Sequence, residues 1–311
     1  MALSLKTISC AFAAAALVYS GAALAEDETV VAPATRTEAA AIAAPTGPAL
    51  WKVSDEDTTI YLFGTVHALP KGVEWYKGEI SYALGSSDTI VTEIEMDENT
   101  NAKMQQLVTT IGLLPPETPL RSLLNEKQNA TYGEAMQKLG LPVGAFDRFE
   151  PWFAGINLTM LPLLQQGYSP DTGVEEVLLS NAEGKQRGAL ETIEFQLGIF
   201  DQLPQESQIT FLTETAGNID GIKPMLDQMV QEWLEGDADA LAELMNNDLS
   251  DEVLADRLLY SRNRTWAGWI ENRLESTPGT VFIAVGAGHL AGEHSVQADL
   301  GELGLAVERV Q

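Results

Sequence analysis

The sequence predicts a mixed α/β domain whose central sheet is built from both ends of the chain and covered by a large helical middle. Three observations predict it. Short β-type runs cluster between about residues 49 and 96 and return after about residue 280, the residues between them carry mostly helical periodicity, and the 45% apolar content suits a folded globule.

The folded region, 49–311, opens with Ala49–Val53, an acidic turn Ser54-Asp-Glu-Asp57 and Thr59–Phe63, which together read as a β-hairpin. An amphipathic stretch from Glu74 to Leu84 leads to a strand over Asp88–Met96. Helical period then recurs at 101–112, 125–139, 149–165, 172–183, 191–201, 204–217, 222–235, 237–247 and near 250–275, with one short strand at Gln186–Leu190. Strand character returns at Thr280–Val285, and the chain turns through Gly286-Ala-Gly-His289. A helix near 293–302 and a strand near 305–310 close it.

Ahead of this domain, Lys6 precedes an apolar run that ends at Ala23-Leu-Ala25, just before Glu26-Asp27. That is the pattern of a secretory signal peptide over residues 1–25 with an A-x-A cleavage site, so the mature chain is expected in the periplasm or outside the cell. The run is too short to span a bilayer comfortably, and no integral membrane segment is expected in the mature chain. Residues 26–48, rich in Ala, Thr, Val and Pro, read as a flexible linker. The lone cysteine, Cys10, leaves with the signal peptide, which excludes disulfides, a thiol nucleophile and thiolate metal ligands from the mature protein.

Eighteen Lys and Arg stand against 45 Asp and Glu, a net charge of −27. Such a chain cannot build the basic stripe that neutralises a phosphate backbone, so nucleic acid is excluded as a partner.

The chemistry concentrates in few residues. There are three histidines, and two of them end a strand with the same spacing: Gly64-Thr-Val-His67 and Gly286-Ala-Gly-His289. In each, the glycine lets the chain turn off the strand end, and the histidine then points across the mouth of the sheet, where open α/β sheets bind ligands. The strand Ile90-Val-Thr-Glu93-Ile-Glu95-Met-Asp97 puts Glu93, Glu95 and Asp97 on one face by its period of two. For Glu95 and Asp97 a polar strand end facing water is an equal reading; Glu93, nearest the apolar part, is the functional candidate. Two imidazoles and a carboxylate, His67, His289 and Glu93, make a three-ligand set for a divalent metal with positions left for water. Without thiolates the set suits Zn²⁺, Mn²⁺, Co²⁺ or Fe²⁺.

Arg262 lies on the apolar stripe of the late helix with Leu259, Trp266 and Ile270. A buried arginine needs an anion. Two readings stay open: a structural brace, with Glu191 as its partner, or a clamp on substrate.

These segments resemble the TraB/PrgY/GumN family, to which the Tiki metalloproteases are related. The resemblance rests on Trp51-Lys-Val, Leu62-Phe-Gly-Thr-Val-His67, Val91-Thr-Glu93-Ile-Glu95, Gly188-Ala-Leu-Glu191-Thr, Ser261-Arg262-Asn263-Arg264-Thr-Trp266 and Val285-Gly-Ala-Gly-His289-Leu, and covers about residues 49–310. It implies a Tiki/erythromycin-esterase-like fold, a divalent metal held at His67, Glu93 and His289, with Mn, Co or Zn as the candidates, and a family role for Arg262. Active members of the family are metal-dependent peptidases. His294 departs from the small residue expected there; a fourth ligand, a proton shuttle and an ordinary surface histidine are the readings open for it, the last being preferred.

The leading expectation is therefore an exported metal-dependent hydrolase of the peptidase type acting on a peptide or small molecule. Glu95 would serve as base, and Arg262 would steady substrate or developing negative charge. The rival is a non-catalytic periplasmic binding protein for a peptide, haem or polysaccharide fragment; a metal-dependent esterase is a third reading, by analogy of fold. Gly286-x-Gly288 with Glu308 mimics a dinucleotide fingerprint, but the chain ends at Gln311 without the strands such a domain needs. Gly-x-Ser-x-Gly, His-Glu-x-x-His and P-loop motifs are absent from the sequence.

Overall fold

The computed structural model describes residues 47–246 and 255–311. The expected signal peptide and nearly all of the expected linker lie outside the described residues. A six-stranded mixed sheet contains β1 (Leu50–Ser54), β2 (Thr58–Thr65), β4 (Thr89–Thr92), β6 (Gln186–Ala189), β7 (Gly279–Gly286) and β8 (Val307–Arg309), in the order β6-β4-β7-β2-β1-β8. β6, β4, β7 and β2 run parallel, and β1 is antiparallel to β2 and β8 on either side of it. A separate two-stranded ladder joins β3 (Leu69–Pro70) to β5 (Tyr168–Ser169).

The central strands are apolar on both faces, as a sheet covered on both sides requires. On one face Ile60, Leu62, Val281, Ile283 and Val285 pack against Trp266, Ile270, Val296 and Leu300. Those four come from α10 (Ser261–Ser276) and α11 (Val296–Glu302). On the other, Phe63, Ile90, Phe282 and Ala284 meet the helical middle. Its elements are α1 (Gly78–Ser86), α2 (Glu98–Ile111), α3 (Glu126–Lys138), α4 (Pro151–Gln165), α5 (Val174–Ser180), α6 (Ile193–Asp201), α7 (Gln205–Gly217), α8 (Ile222–Glu235) and α9 (Ala238–Asn246).

Local chemistry sets many of these boundaries. Asn125 and Gln128 form a capping box that starts α3, Pro151 opens α4, and Gly236, at φ 72°, closes α8. α4 is apolar nearly all round and lies at the heart of the helical layer; a Cβ on its Gly155 would come within 2.5 Å of the Phe211 ring on α7. Among the described residues, no helix is long and apolar enough to cross a membrane.

Three expected elements differ in extent. The strand expected to Met96 ends at Thr92, whose hydroxyl turns back to donate to the Ile94 carbonyl at 2.6 Å. Asp97 instead accepts the Thr100 N–H at 2.7 Å and caps α2. The shared face expected for Glu93, Glu95 and Asp97 is therefore not formed. The late helix expected near 250–275 is described from Ala255, with a π-helical turn at Asp256–Tyr260 before α10; residues 247–254 lie outside the described residues. α11 begins at Val296 because Ser295 caps it.

Candidate functional site

The two Gly-x-x-His motifs sit on neighbouring parallel strands, with Gly64 opposite Val285 and Thr65 opposite Gly286. β4 flanks β7 on its other side, Thr92 opposite Ala284, so the residue after it, Glu93, reaches the same carboxyl edge. His67, Glu93 and His289 thus meet at the ends of three adjacent strands, at the edge where such sheets bind ligands.

The motif glycines are needed for close approach, since neither takes a positive φ. A Cβ on Gly64, which lies inside β2, would stand 3.0 Å from the Cα of Ala287 in the turn that carries His289. A Cβ on Gly286 would stand 3.2 Å from Glu93 Oε1, 3.6 Å from His289 Cδ2 and 4.0 Å from His67 Nε2. The missing side chain of Gly286 keeps open the space on which these three groups converge.

Each ring is held by its Nδ1. His67 is anchored by Glu175, whose Oε1 lies 2.5 Å from Nδ1 and also accepts the Thr65 hydroxyl at 2.6 Å. Glu175 reaches it because α5 docks on the end of β2: the Val174 N–H bonds the Val66 carbonyl, and a Cβ on Gly173 would clash at 2.2 Å with the His67 carbonyl oxygen. The other ring nitrogen of His67, Nε2, is buried and has no hydrogen-bond partner among the described residues. His289 Nδ1 lies 2.6 Å from Asn263 Oδ1, and its Nε2 lies 3.1 Å from Arg262 Nη1. Arg262 can only donate, so Nε2 accepts and Nδ1 carries the proton toward Asn263. The Asn263 amide nitrogen in turn donates to the His294 carbonyl at 2.6 Å, which fixes its orientation.

Arg262 spends every N–H on the protein. Nε and Nη2 grip Glu191 at 2.8 and 2.9 Å, Nη2 also reaches Glu93 Oε2 at 2.7 Å, and Nη1 serves the Leu258 carbonyl at 2.9 Å besides His289. Five N–H groups meet five acceptors. Of the two readings left open by the sequence, this structure forms the brace, with Glu191 as the expected partner. Gln196 on α6 donates to both Glu93 Oε2, at 2.7 Å, and Glu191 Oε2, at 3.1 Å, and the Gly286 N–H donates to Glu93 Oε1 at 2.7 Å. Trp266 lies against the His289 ring and under the guanidinium.

These partners set the charges. Burial opposes the Glu93 carboxylate, but the guanidinium of Arg262, the two imidazoles and the Gly286 N–H outweigh it and hold the pKa at about 2. Burial and then Arg262 push His289 down to about 3, so the ring is neutral. For His67 burial works against the charged form, and Glu175 outweighs it and raises the pKa.

The structure brings His67, Glu93, His289 and Arg262 together; it does not bring Glu95 to them. Glu95 is exposed and lines a separate cleft of about 170 Å³ with Ile90, Thr92, Met96, Asp97, Leu179, Arg187 and Gly188. His294 is exposed with its ring against Tyr260, and it touches the cluster only through its main-chain carbonyl. Sequence reasoning missed Glu175 and Gln196. Glu175 carried a usable signal, since it shares the apolar stripe of α5 with Leu178 and Leu179, as Arg262 does on its own helix.

Among the described residues, no group of three His, Cys, Asp or Glu side chains is placed so that it could hold a metal ion. In kind, two imidazoles and a carboxylate are donors that divalent metals take, although His289 Nε2 is held by Arg262 and Glu93 Oε1 by the Gly286 N–H. Both imidazoles are tethered at Nδ1, the arrangement that orients metal-binding histidines. An orphaned Nε2, a second Nε2 3.9 Å from Glu93 Oε1, and the open space over Gly286 lie between them. Three buried carboxylates, Glu93, Glu175 and Glu191, stand beside one guanidinium and the His67 imidazole, whose charged form Glu175 favours.

Fold and site together define a mixed α/β domain with a histidine–carboxylate–arginine cluster at the mouth of its parallel strands. The chain belongs to the TraB/PrgY/gumN family, whose model matches residues 49–309. Searches of curated proteins and of solved structures return no match.

Proposed function

We propose that this protein is an exported metal-dependent hydrolase of the peptidase type, with His67, Glu93 and His289 as the residues that would hold a divalent ion. The observation that carries the reading is the tethering of both histidines through Nδ1, which leaves His67 Nε2, without a partner among the described residues, beside Glu93 Oε1 at the space that Gly286 keeps open. A bound Mn²⁺, Co²⁺ or Zn²⁺ would polarise a substrate carbonyl and lower the pKa of its water. The chain's own residues prepare the site. Glu175 and Asn263 fix the rings, and Arg262 and Gln196 hold Glu93 ionised and oriented. For His289 Nε2 to bind a metal, Arg262 Nη1 has to give up its contact.

The test is metal analysis of protein purified without chelator, followed by thermal unfolding and cleavage of a peptide library with Mn²⁺, Co²⁺ and Zn²⁺ in turn. Specific binding raises the melting temperature with metal concentration. Stoichiometric metal retained by both His67→Ala and His289→Ala would sink the proposal. The contact of Arg262 on His289 Nε2, which withholds one of the three metal donors, favours the second reading, a non-catalytic exported binding protein. That reading predicts ligand-induced stabilisation and no turnover with any metal.

A further inference from the structure

The cleft beside Glu95 lies against the candidate site on two elements. On β4 its wall residue Thr92 immediately precedes Glu93, and on α5 its wall residue Leu179 stands about one turn, roughly 6 Å, from Glu175. Ile90, Met96 and Leu179 give it an apolar lining, while the carboxylates of Glu95 and Asp97 and the guanidinium of Arg187 stand at its polar end. Among the described residues the Glu95 carboxylate forms no hydrogen bond or ion pair, Asp97 is committed to the cap of α2, and Arg187 donates to the Leu179 carbonyl at 3.3 Å. The polar end carries a net negative charge.

The same cleft borders the edge of the sheet. β6 is the last strand in the order, and its Gln186 and following Leu190 N–H groups bond to Asp88 and Thr92 across β4. By the alternation of a parallel ladder, the main-chain N–H and C=O of Arg187 and Ala189 then point away from the sheet. Beyond Ala189 the chain runs directly to Glu191, which Arg262 grips. An extended chain laid along β6 would end at the mouth of the site, with alternate side chains turned toward the cleft.

We propose that β6 and the neighbouring cleft form the substrate-binding subsite: an extended polypeptide pairs with Arg187 and Ala189, and a lysine or arginine side chain of it fills the cleft. Its aliphatic stem lies on Ile90 and Leu179 and its cation reaches Glu95, the division of labour such side chains adopt at apolar surfaces with a polar rim. The inference rests on the peptidase reading for the class of substrate and on the cleft for its side chain.

The test uses metal-free protein, so that binding is read apart from hydrolysis. The probes are two blocked peptides, Ser-Val-Lys-Val-Ser and its counterpart with Glu in place of Lys, at millimolar concentration. The lysine peptide should slow amide hydrogen exchange at Arg187 and Ala189 and leave the opposite edge, β8, unchanged. It should bind about tenfold more tightly than the glutamate peptide, a difference of about 1.4 kcal/mol. Glu95→Lys should reverse the preference. Exchange at Arg187 and Ala189 unaltered by the lysine peptide, or a preference unchanged in Glu95→Lys, overturns the inference. Cleavage without that protection overturns it while leaving the hydrolase reading standing. Protection without cleavage under Mn²⁺, Co²⁺ or Zn²⁺ upholds it and removes the hydrolase reading.

Discussion

Glu175 and His67, more than a hundred residues apart, share a buried contact of 2.5 Å that ties down one nitrogen of the ring and leaves the other without a partner among the described residues. The carboxylate also takes the Thr65 hydroxyl, so its position is set from two sides. Replacing it with Gln keeps the shape and removes the charge that favours the imidazole's present tautomer and orientation. Glu175→Gln is expected to weaken binding of Mn²⁺, Co²⁺ or Zn²⁺ by roughly 10- to 100-fold with the fold intact, the usual effect of losing the partner that orients a metal-binding histidine. Titration calorimetry beside a circular dichroism spectrum measures both. Unchanged affinity would remove Glu175 from the site.

Gly286→Ala tests the open space without touching a donor. The backbone there, φ −49° and ψ 135°, is accessible to alanine. Its new methyl would stand 3.2 Å from Glu93 Oε1 and within 4.0 Å of His67 Nε2. The expected outcome is loss of metal binding with little change in the urea midpoint. A variant that still takes up metal stoichiometrically would place the ion elsewhere.

His294→Ala should change neither stability nor metal affinity measurably, within about 0.5 kcal/mol for an exposed side chain. Its link to Asn263 runs through the main-chain carbonyl, which alanine retains. A loss of metal affinity in this variant would show that the imidazole enters the site.

The strand ends and both Gly-x-x-His motifs were legible because they rest on local patterns: alternation, glycine and the turn that follows. The Arg262–Glu191 brace was legible for a different reason, since a guanidinium on an apolar stripe demands a carboxylate. Glu175 and Gln196 were not singled out because they lie on short helices distant in sequence. In Val174-Glu175-Glu176-Val177 two acids at a helix start read as partners of the helix dipole; the stripe with Leu178 and Leu179 marks Glu175 as the inward one, and the docking of α5 on β2 gives it His67 as a partner. The strand through Glu93 was overread for the converse reason. Alternation continues to Asp97 in the sequence, yet the hydroxyl of Thr92 and the capping demand of α2 win over it.

Glu214 on α7 gives a pH dependence separate from the site. Burial pushes its carboxyl up to about 7, and its Oε2 has no hydrogen-bond partner among the described residues. The folded pKa lies above the unfolded value of about 4.3, so folding favours the protonated form. That stability is fully present below the unfolded pKa and is lost as pH rises through about 7. The melting temperature of Glu214→Gln, measured from mildly acid to mildly alkaline buffer, should fall less with rising pH than that of the unsubstituted protein. Parallel pH profiles would contradict the assignment.

Arg262 is the hardest residue in the cluster to replace, because its five N–H groups match five acceptors and two of its partners are buried carboxylates. Arg262→Met strips the counter-charge from Glu93 and Glu191 and is expected to cost about 3–5 kcal/mol, the penalty for leaving a buried ionic partner alone. Arg262→Lys restores the charge but has only three N–H donors on one atom, so it leaves at least two of the five acceptors unserved. Lysine should therefore recover only part of the loss in chemical denaturation, and the ordering expected is Arg above Lys above Met. Full recovery by lysine would mean that charge alone holds Glu93 in place and that the fork geometry of the guanidinium contributes nothing.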